Sequence, residues 1–404
     1  MHGRKFLVWV LVVTPAVWAE QNKVDLGSLY DSHRWFELRN VVAGTGASSF
    51  YKGAVECAFN NLPRCEKLLY RVLKYHPGKK EAVEAHRLLL SVYFREGKYN
   101  RALKEADELL ALDPDDADSK DDLPLLRALS GFSDQIVITR AQSVLNLETD
   151  GLPVVINGAN ATYWFDTGAN LSVMSESEAK RFGLSIHAVE STVHVMSGAE
   201  VAFRIALAEN LQIGGFRLKN VAFLVFSDDQ QPFNTLPQKS RGLIGIPVLL
   251  TFGRFSITQD RHFEISSGRP NLRTADANLC FDGKNPAALV KYKGRPLAFT
   301  LDTGASMTDL YPPFAAAFPE LIANRKRESY QMRGVGSTEQ FDSVLLPSVE
   351  FTIDNFVVAL HPATVLLKEN GESSKFFYGN LGFDLLRQPA RTTFDFTKMR
   401  LSTQ

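Results

Sequence analysis

The chain contains few of the residues that most often hold a metal or a cofactor. Three cysteines and eight histidines occur among 404 residues, and the cysteines show no Cys-x-x-Cys spacing. No His-Glu-x-x-His segment is present, which leaves a zinc hydrolase unsupported. The 45 acidic side chains balance the 45 basic ones. Net charge therefore gives no reason to expect nucleic acid or an acidic membrane as a partner, and we expect neither a metal nor a cofactor.

Long apolar runs are also absent. The run Phe6–Val13 is too short to span a bilayer. It follows Arg4 and Lys5 and precedes Ala19, which is typical of a secretory signal with a charged start, a short apolar core and a small residue before the cut. We predict that residues 1–19 are a signal peptide and that the protein is exported, to the periplasm or out of the cell, with no membrane span afterwards. The alternative is an uncleaved N-terminal anchor.

The tetrapeptide Asp-Thr-Gly-Ala occurs twice, at 166–169 and 302–305, each time directly after an apolar run. One such turn would be ordinary turn chemistry, but the surroundings repeat as well. A glycine stands eight residues before each aspartate, and an aliphatic-Gly segment follows at 243–245 and at 380–382. The predicted hairpin strands around the two early glycines are 152–156, 161–165, 288–292 and 297–301. We interpret the pattern as an internal duplication of a β-rich unit of about 130 residues.

These repeated segments resemble the retropepsin-like aspartic proteases, fused in tandem as in pepsin-like enzymes. The resemblance covers roughly residues 135–404 and implies a bilobal all-β domain with pseudo-twofold symmetry. It implies that Asp166 and Asp302 are the catalytic pair, with threonines that brace the two turns and glycines that allow a close backbone approach. These supporting residues are Thr167, Gly168, Thr303 and Gly304. The flap hairpins that close over a polypeptide substrate are expected around Ser197, Gly198, Gly334 and Gly336.

Two facing carboxylates can activate water without a metal, a nucleotide or a covalent intermediate. Like charges about 3 Å apart cannot both ionise, so such a pair holds one proton between its members. The sequence therefore predicts an aspartic endopeptidase that acts as a monomer, with one aspartate from each half. Two other functions stay open: a silent peptide-binding module of the same fold, and an interaction protein in which N-terminal helical repeats carry the function.

Two departures from the pepsin-like pattern affect the expected chemistry. Ala169 and Ala305 stand where pepsin-like turns usually carry serine, so each carboxylate lacks a hydroxyl donor that would favour its charged form. We expect an optimum at mildly acidic to neutral pH rather than below about pH 3. Asn380 occupies the place of Leu243 in the first half. Its polar group must find a partner near the catalytic turn, or it marks a weakened second half.

The segment before the repeated turns shows helical periodicity. Gly97, Tyr99, Ala102 and Pro114 resemble the turn and close-contact positions of a tetratricopeptide repeat, and a weaker predecessor ends at Pro77. Such repeats bind peptides or partner proteins. The alternative is that this segment is a helical prodomain or a spacer without a binding role. The expected fold class is thus α+β multidomain, with N-terminal helical hairpin repeats followed by the bilobal β domain. The predicted segments are 1–19 signal peptide, 20–112 helical domain, 113–134 acidic linker, 135–270 lobe 1 and 271–404 lobe 2.

Two further expectations concern the helical part. Six aspartates between positions 113 and 122 indicate a solvated linker. Cys57 and Cys65 would lie on the two helices of one hairpin, where they form either a disulfide, suited to an oxidising compartment, or a buried contact between helices. Cys280 is then the unpaired cysteine, and we expect it to be a buried apolar residue.

Overall fold

A computed structural model describes residues 25–78, 80–148, 151–194, 200–267, 276–334 and 337–404. The predicted signal peptide, 1–19, lies outside these residues. Within the described ranges, no helix is both long enough and apolar enough to cross a membrane. The predicted class is confirmed, because a helical N-terminal region precedes a β-rich region.

The N-terminal region is a series of helix pairs: α1 (Leu26–Asp31), α2 (Trp35–Ala43), α3 (Ser49–Ala58), α4 (Leu62–Tyr75), α5 (Lys80–Arg95), α6 (Tyr99–Leu112) and α7 (Ala117–Ser130). Apolar residues recur every three or four positions and are buried between helices, as Leu89 is on α5 and Ala102 and Leu109 are on α6. Gly97 ends α5 with a positive φ of 69°, a conformation that glycine adopts without strain. Cys57 and Cys65 are disulfide-bonded and join α3 to α4.

The predicted acidic linker is wrong, because most of it is helix α7. Asp116 caps this helix by accepting from the backbone N–H of Ser119 at 3.0 Å. The side chain of Asp116 also pairs with Arg87 on α5. Leu126 and Leu129 are fully buried on the opposite face. Aspartates at the start of a helix are favourable there because they complement its partial positive charge, so the charge run marks a helix start instead of a solvated connection.

The β-rich region contains the following strands: β1 (Ile136–Thr139), β2 (Ser143–Asn146), β3 (Leu152–Ile156), β4 (Ala159–Phe165), β5 (Ser172–Ser175), β6 (Ile186–His194), β7 (Glu200–Ile213), β8 (Phe216–Phe226), β9 (Gly242–Ile244), β10 (Gly253–Thr258), β11 (His262–Ser267), β12 (Leu279–Asp282), β13 (Asn285–Tyr292), β14 (Arg295–Leu301), β15 (Asp309–Leu310), β16 (Arg327–Gly334), β17 (Ser337–Leu346), β18 (Val349–Ile353), β19 (Phe356–Leu360), β20 (Ala363–Leu366), β21 (Gly379–Leu381), β22 (Arg391–Asp395) and β23 (Arg400–Thr403). The predicted hairpins are β3–β4 and β13–β14. Short helices α8 (Glu176–Arg181), α9 (Ile246–Leu249), α10 (Pro312–Ala317), α11 (Pro319–Ile322) and α12 (Phe383–Leu386) connect strands.

Each lobe has its own sheet. In lobe 1 the strand order is β1-β8-β5-β9-β4-β3-β7-β6, and in lobe 2 it is β16-β17-β20-β15-β21-β14-β13-β18-β19, with β12 beside β13. In both sheets the strand before the Asp-Thr-Gly turn pairs in parallel with the later aliphatic-Gly strand, β4 with β9 and β14 with β21. The turns therefore lie at equivalent places in the two lobes.

A third sheet joins the lobes beneath the turns. Its order is β2-β11-β10-β22-β23, so strands of lobe 1 pair directly with strands of lobe 2. Phe255 on β10 and Phe394 on β22 are both buried and stack with their ring centroids 4.7 Å apart. Because backbone pairing and a shared aromatic core fix the lobes to each other, the two turns are held at a defined separation.

The helical region is bound to lobe 2 through the tight turn between β12 and β13. The carboxylate of Asp282 accepts from the indole N–H of Trp35 at 2.9 Å and contacts Nδ1 of His33 at 2.6 Å. The backbone carbonyl of Gly283 accepts from the fully buried guanidinium of Arg95 at 2.8 Å. Lys284 forms an ion pair at 2.7 Å with Asp122 on α7. Another contact reaches lobe 1, where the ring of His187 on β6 lies 5.2 Å from the ring of Phe132, which follows α7.

Candidate active site

The two Asp-Thr-Gly turns meet between the lobes. Each aspartate is placed by a backbone hydrogen bond to the neighbouring parallel strand: the N–H of Asp166 donates to the carbonyl of Ile244 at 2.9 Å, and that of Asp302 to the carbonyl of Leu381 at 3.0 Å. Buried apolar strands continue on both sides of these bonds. Rigid strands therefore hold both carboxylates, which fixes their geometry more tightly than a loop would.

The two threonines hold the turns together through a reciprocal set of hydrogen bonds. The hydroxyl of Thr167 donates to the carbonyl of Leu301 at 2.8 Å and accepts from the N–H of Thr303 at 3.0 Å. The hydroxyl of Thr303 donates to the carbonyl of Phe165 at 2.8 Å and accepts from the N–H of Thr167 at 3.0 Å. Both side chains are buried. The structure thus has the crossed bonds that the family resemblance implies.

The glycine of each turn lies directly against the carboxylate of the other lobe. A Cβ atom on Gly168 would lie 2.7 Å from Cγ of Asp302, and one on Gly304 would lie 2.4 Å from Cγ of Asp166. Both distances are shorter than nonbonded carbon atoms allow, so only glycine fits at either position. This reciprocal arrangement brings the two carboxylates into one site.

Both carboxylates accept from N–H groups of their own turns, and Asp302 also accepts from a side chain. Oδ1 of Asp166 accepts from the N–H of Gly168 at 2.7 Å. Oδ1 of Asp302 accepts from two backbone groups, Gly304 at 2.9 Å and Ala305 at 3.0 Å. Its Oδ2 also accepts from the side-chain amide of Asn380 at 3.1 Å. Asp302 is 4% exposed, so these donors satisfy a buried carboxyl group.

The electrostatics favour a proton on Asp166. Burial, together with the charge of Asp302 and a hydrogen bond to it, raises the pKa of Asp166 well above the usual aspartate value, while the N–H groups of its own turn act in the opposite direction. The pair therefore retains one proton at a pH at which an isolated aspartate is ionised. This protonation state is the one that two-carboxylate hydrolysis requires.

Asn380, the departure noted in the sequence, has two partners in the structure. Its Oδ1 accepts from the hydroxyl of Thr300 at 2.7 Å, and its Nδ2 donates to Asp302. The buried amide is therefore satisfied by partners on both sides.

The candidate flap residues can be placed only in part. Ser197, Gly198 and Gly336 lie outside the described residues. Gly334 is the last residue of β16 and is opposite Ser337 in the β16–β17 hairpin. In lobe 1 the hairpin at the corresponding place is formed by β6 and β7. Two antiparallel hairpins thus occur where flaps were predicted.

Sequence reasoning missed a third carboxylate beside the pair. Asp309 on β15 is directly opposite Asn380 on β21, so the two side chains share one face of the sheet. Asp309 is 7% exposed, and its Oδ1 has no hydrogen-bond partner. Burial raises the pKa of Asp309 to about 7, against the effect of a hydrogen bond from Tyr330. The sequence offered no signal beyond an acidic residue in an otherwise apolar strand.

Comparisons with known proteins bear mainly on lobe 1. Residues 152–248 match the model of a family described as aspartyl protease. No curated protein matches the chain. Among solved structures, the chain is similar to a retropepsin-like aspartic protease from Rickettsia conorii, with 17% identity and a TM-score of 0.23 over 33% of this chain and 94% of that one. It is also similar to Basic 7S globulin from soybean, with 11% identity and a TM-score of 0.35 over 66% of this chain and 96% of that one.

The family match and the strand arrangement support an aspartic protease fold for the β-rich region, and protease function in general. The two structural likenesses are too remote to add to this. The function of this chain must therefore be argued from the site itself.

Proposed function

We propose that the protein is an exported aspartic endopeptidase that hydrolyses peptide bonds with water activated between Asp166 and Asp302, one from each lobe. The observation that carries this proposal is the reciprocal packing of the two turns, in which Gly168 and Gly304 each lie against the opposite carboxylate. Such packing serves no purpose in a turn that only ends a strand.

The reaction needs only the two carboxyl groups and one water molecule. The ionised carboxylate takes a proton from water, whose oxygen attacks the scissile carbonyl carbon, while the protonated carboxyl gives its proton to the carbonyl oxygen. The tetrahedral intermediate then collapses: the C–N bond breaks, the amine leaves with the proton that water gave up, and the hydroxyl proton returns to the second carboxyl group. The pair is thereby restored without a cofactor.

The substrate class that suits this site is an extended polypeptide lying between the lobes. The β6–β7 and β16–β17 hairpins, one in each lobe, are the candidates for flaps that would close over such a segment. In an extended segment the backbone amides are accessible, so a scissile amide can lie between the two carboxyl groups. Because one chain supplies both carboxylates, the proposed active form is a monomer.

Export is supported by two features of the chain. The charged start and short apolar core of residues 1–19 fit a signal peptide. The disulfide between Cys57 and Cys65 suits an oxidising compartment such as the periplasm or the exterior of the cell.

For the helical region we favour a scaffold over a docking module or a removable prodomain. Its helices bind the turn at 282–284 of lobe 2 through the fully buried Arg95, the indole of Trp35 and the carboxylate of Asp122. Removal of the region would expose these groups, so a form that begins near residue 130 is expected to be unstable. Immunoblotting of the exported protein tests this: a stable, active species that begins near 130 would establish a prodomain instead.

The proteolytic function is tested by incubating the mature protein with a complex peptide mixture from about pH 3 to 8, a range that brackets shifted aspartate pairs. Cuts are identified by mass spectrometry beside Asp166→Ala and Asp302→Ala. We expect the wild type to cut and each variant to be inactive. Full activity in one variant would mean that the pair does not act within one chain, and no cuts at any pH would favour the silent peptide-binding module.

A further inference from the structure

The pair is symmetric in its turns but not in its hydrogen bonds. Each carboxylate is bonded by N–H groups of its own turn, Gly168 and Ala169 for Asp166 and Gly304 and Ala305 for Asp302, and of the two carboxylates it is Asp302 that also accepts from a side-chain amide. Asn380 supplies the amide from β21. Donors stabilise a carboxylate more than a protonated carboxyl group, which is a weaker acceptor. The hydrogen bonds therefore favour the negative charge on one particular member of the pair.

The orientation of the Asn380 amide follows from its two partners. The hydroxyl of Thr300 donates to Oδ1 at 2.7 Å, which turns Nδ2 toward Oδ2 of Asp302 at 3.1 Å. The reverse orientation would place two oxygen atoms against each other. Thr300, Asn380 and Asp302 thus form a directed chain of hydrogen bonds that ends on one oxygen of the pair.

Among its described residues, lobe 1 shows no counterpart to this chain of hydrogen bonds. Trp164 is opposite Leu243 in the β4–β9 pairing, as Thr300 is opposite Asn380 in the β14–β21 pairing. The equivalent side chains of lobe 1 are thus an indole and an aliphatic group. Leu243, at the place of Asn380, has no group that could donate a hydrogen bond to Asp166, so this difference between the lobes lies on one face of the two sheets.

We propose that Asn380 is a positioning residue that sets the polarity of the pair, so that Asp302 carries the charge in the free enzyme and Asp166 holds the shared proton. This inference rests on the proposed function. It assigns the two steps of hydrolysis: Asp302 takes the proton from water, and Asp166 gives its proton to the carbonyl oxygen. The raised pKa of Asp166 agrees with this assignment.

The proposal makes different predictions for the two limbs of a pH–rate profile. The acid limb reports the first ionisation of the pair, which places the charge on Asp302, and the alkaline limb reports loss of the remaining proton from Asp166. Asp309 faces Asn380 and burial raises its pKa to about 7, so every variant is compared in an Asp309→Asn background that removes this second titration. Asn380→Leu removes the amide donor and introduces the residue type that lobe 1 has at the equivalent position, Leu243. We expect it to move the acid limb of kcat/KM up by about one pH unit and to leave the alkaline limb in place. Leu243→Asn adds a donor beside Asp166, so we expect it to move the alkaline limb down instead.

Thr300→Val provides a second variant for the case in which Asn380→Leu does not fold. It keeps the amide but frees its orientation, so a smaller shift of the acid limb in the same direction is expected. Equal movement of both limbs in Asn380→Leu, or no movement of either in a folded variant, would overturn the proposal, since a merely structural residue changes the height of the profile.

A second measurement separates this proposal from the proposed function. Carboxyl carbons labelled with ¹³C at aspartate are followed by NMR at pH 6, with Asp166→Asn and Asp302→Asn used for assignment. We expect the shift of an ionised carboxylate at Asp302 and of a protonated carboxyl at Asp166, and a smaller difference in Asn380→Leu. The opposite assignment would refute the inference even if peptides are cut. Absence of cutting with the expected shifts would refute the protease alone.

Discussion

The two lobes carry the same Asp-Thr-Gly turn, but the side chains beside that turn differ between them. Beside it, three side chains on adjacent strands lie in a row across the sheet, apolar in lobe 1 and polar in lobe 2: Trp164, Leu243 and Val173 against Thr300, Asn380 and Asp309. The threonines and glycines of the turns are equivalent in their contacts. The symmetric contacts of the threonines and glycines hold the two turns together. The row of three side chains beside each turn is what makes the surroundings of the two carboxylates different.

The largest expected effect tests the symmetric part of this comparison. Gly168→Ala and Gly304→Ala each place a methyl group within 3 Å of the opposite carboxylate. We expect each to lower kcat/KM by at least about 100-fold, because displacement of a reacting group by about 1 Å costs that much. Gly46→Ala is the matched control, since a Cβ there meets nothing within 4 Å. A variant of either turn that keeps wild-type activity would show that the pair is not packed as described.

A smaller effect is expected from the crossed threonines. Thr167→Val removes the hydroxyl that serves Leu301 and Thr303, and Thr303→Val does the same for Phe165 and Thr167. Each leaves buried backbone groups unsatisfied and should lower the free energy of unfolding by about 2 kcal/mol. Urea titration measures the free energy of unfolding. Thr167→Ser and Thr303→Ser are the controls, because serine keeps the hydroxyl. Clearly unequal losses would mean that the brace is not symmetric.

Asp309 tests the polar row of lobe 2. Its pKa is about 7 in the folded protein because of burial, above the ordinary value that it takes when the chain unfolds. The folded state then holds a proton that the unfolded state releases, so stability present at low pH is lost as pH rises from about 4 to 7, by up to about 1.4 kcal/mol per pH unit. Asp309→Asn, which cannot ionise, should flatten the dependence of the free energy of unfolding on pH. An unchanged slope would exclude a buried, protonated Asp309.

The smallest effect concerns the attachment of lobe 2 to the helices. Although burial disfavours the charged ring, the hydrogen bond and charge of Asp282 raise the pKa of His33. This pair therefore stabilises the fold below the ordinary histidine value, and the stabilisation is lost as pH rises through the raised one. Asp282→Asn should cost about 1 kcal/mol at pH 5.5 and less at pH 8.5. Equal costs at both values would show that His33 stays neutral.

Local patterns predicted much of the site. The spacing of the two Asp-Thr-Gly turns and the alternation in β3–β4 and β13–β14 identified the strands that carry the pair, because each turn lies next to its own hairpin. The short spacing of Cys57 and Cys65 likewise predicted that they meet within one helical hairpin, either as a disulfide or as a buried contact, and the structure has the disulfide. Asp309 and the partners of Asn380 escaped prediction because they depend on which strands lie side by side. Helix α7 was misread since its aspartates concealed the buried Leu126 and Leu129.

The contacts between the helices and the β12–β13 turn also bear on the order in which the chain is synthesised and folds. Arg95 and the carbonyl of Gly283 that it binds are 188 positions apart, and a ribosome adds about 5–20 residues per second. For roughly ten seconds or more, the growing chain carries a complete set of helices whose arginine has no lobe 2 to meet. The N-terminal region is thus synthesised first, but its buried arginine gains its acceptor only after lobe 2 has been made.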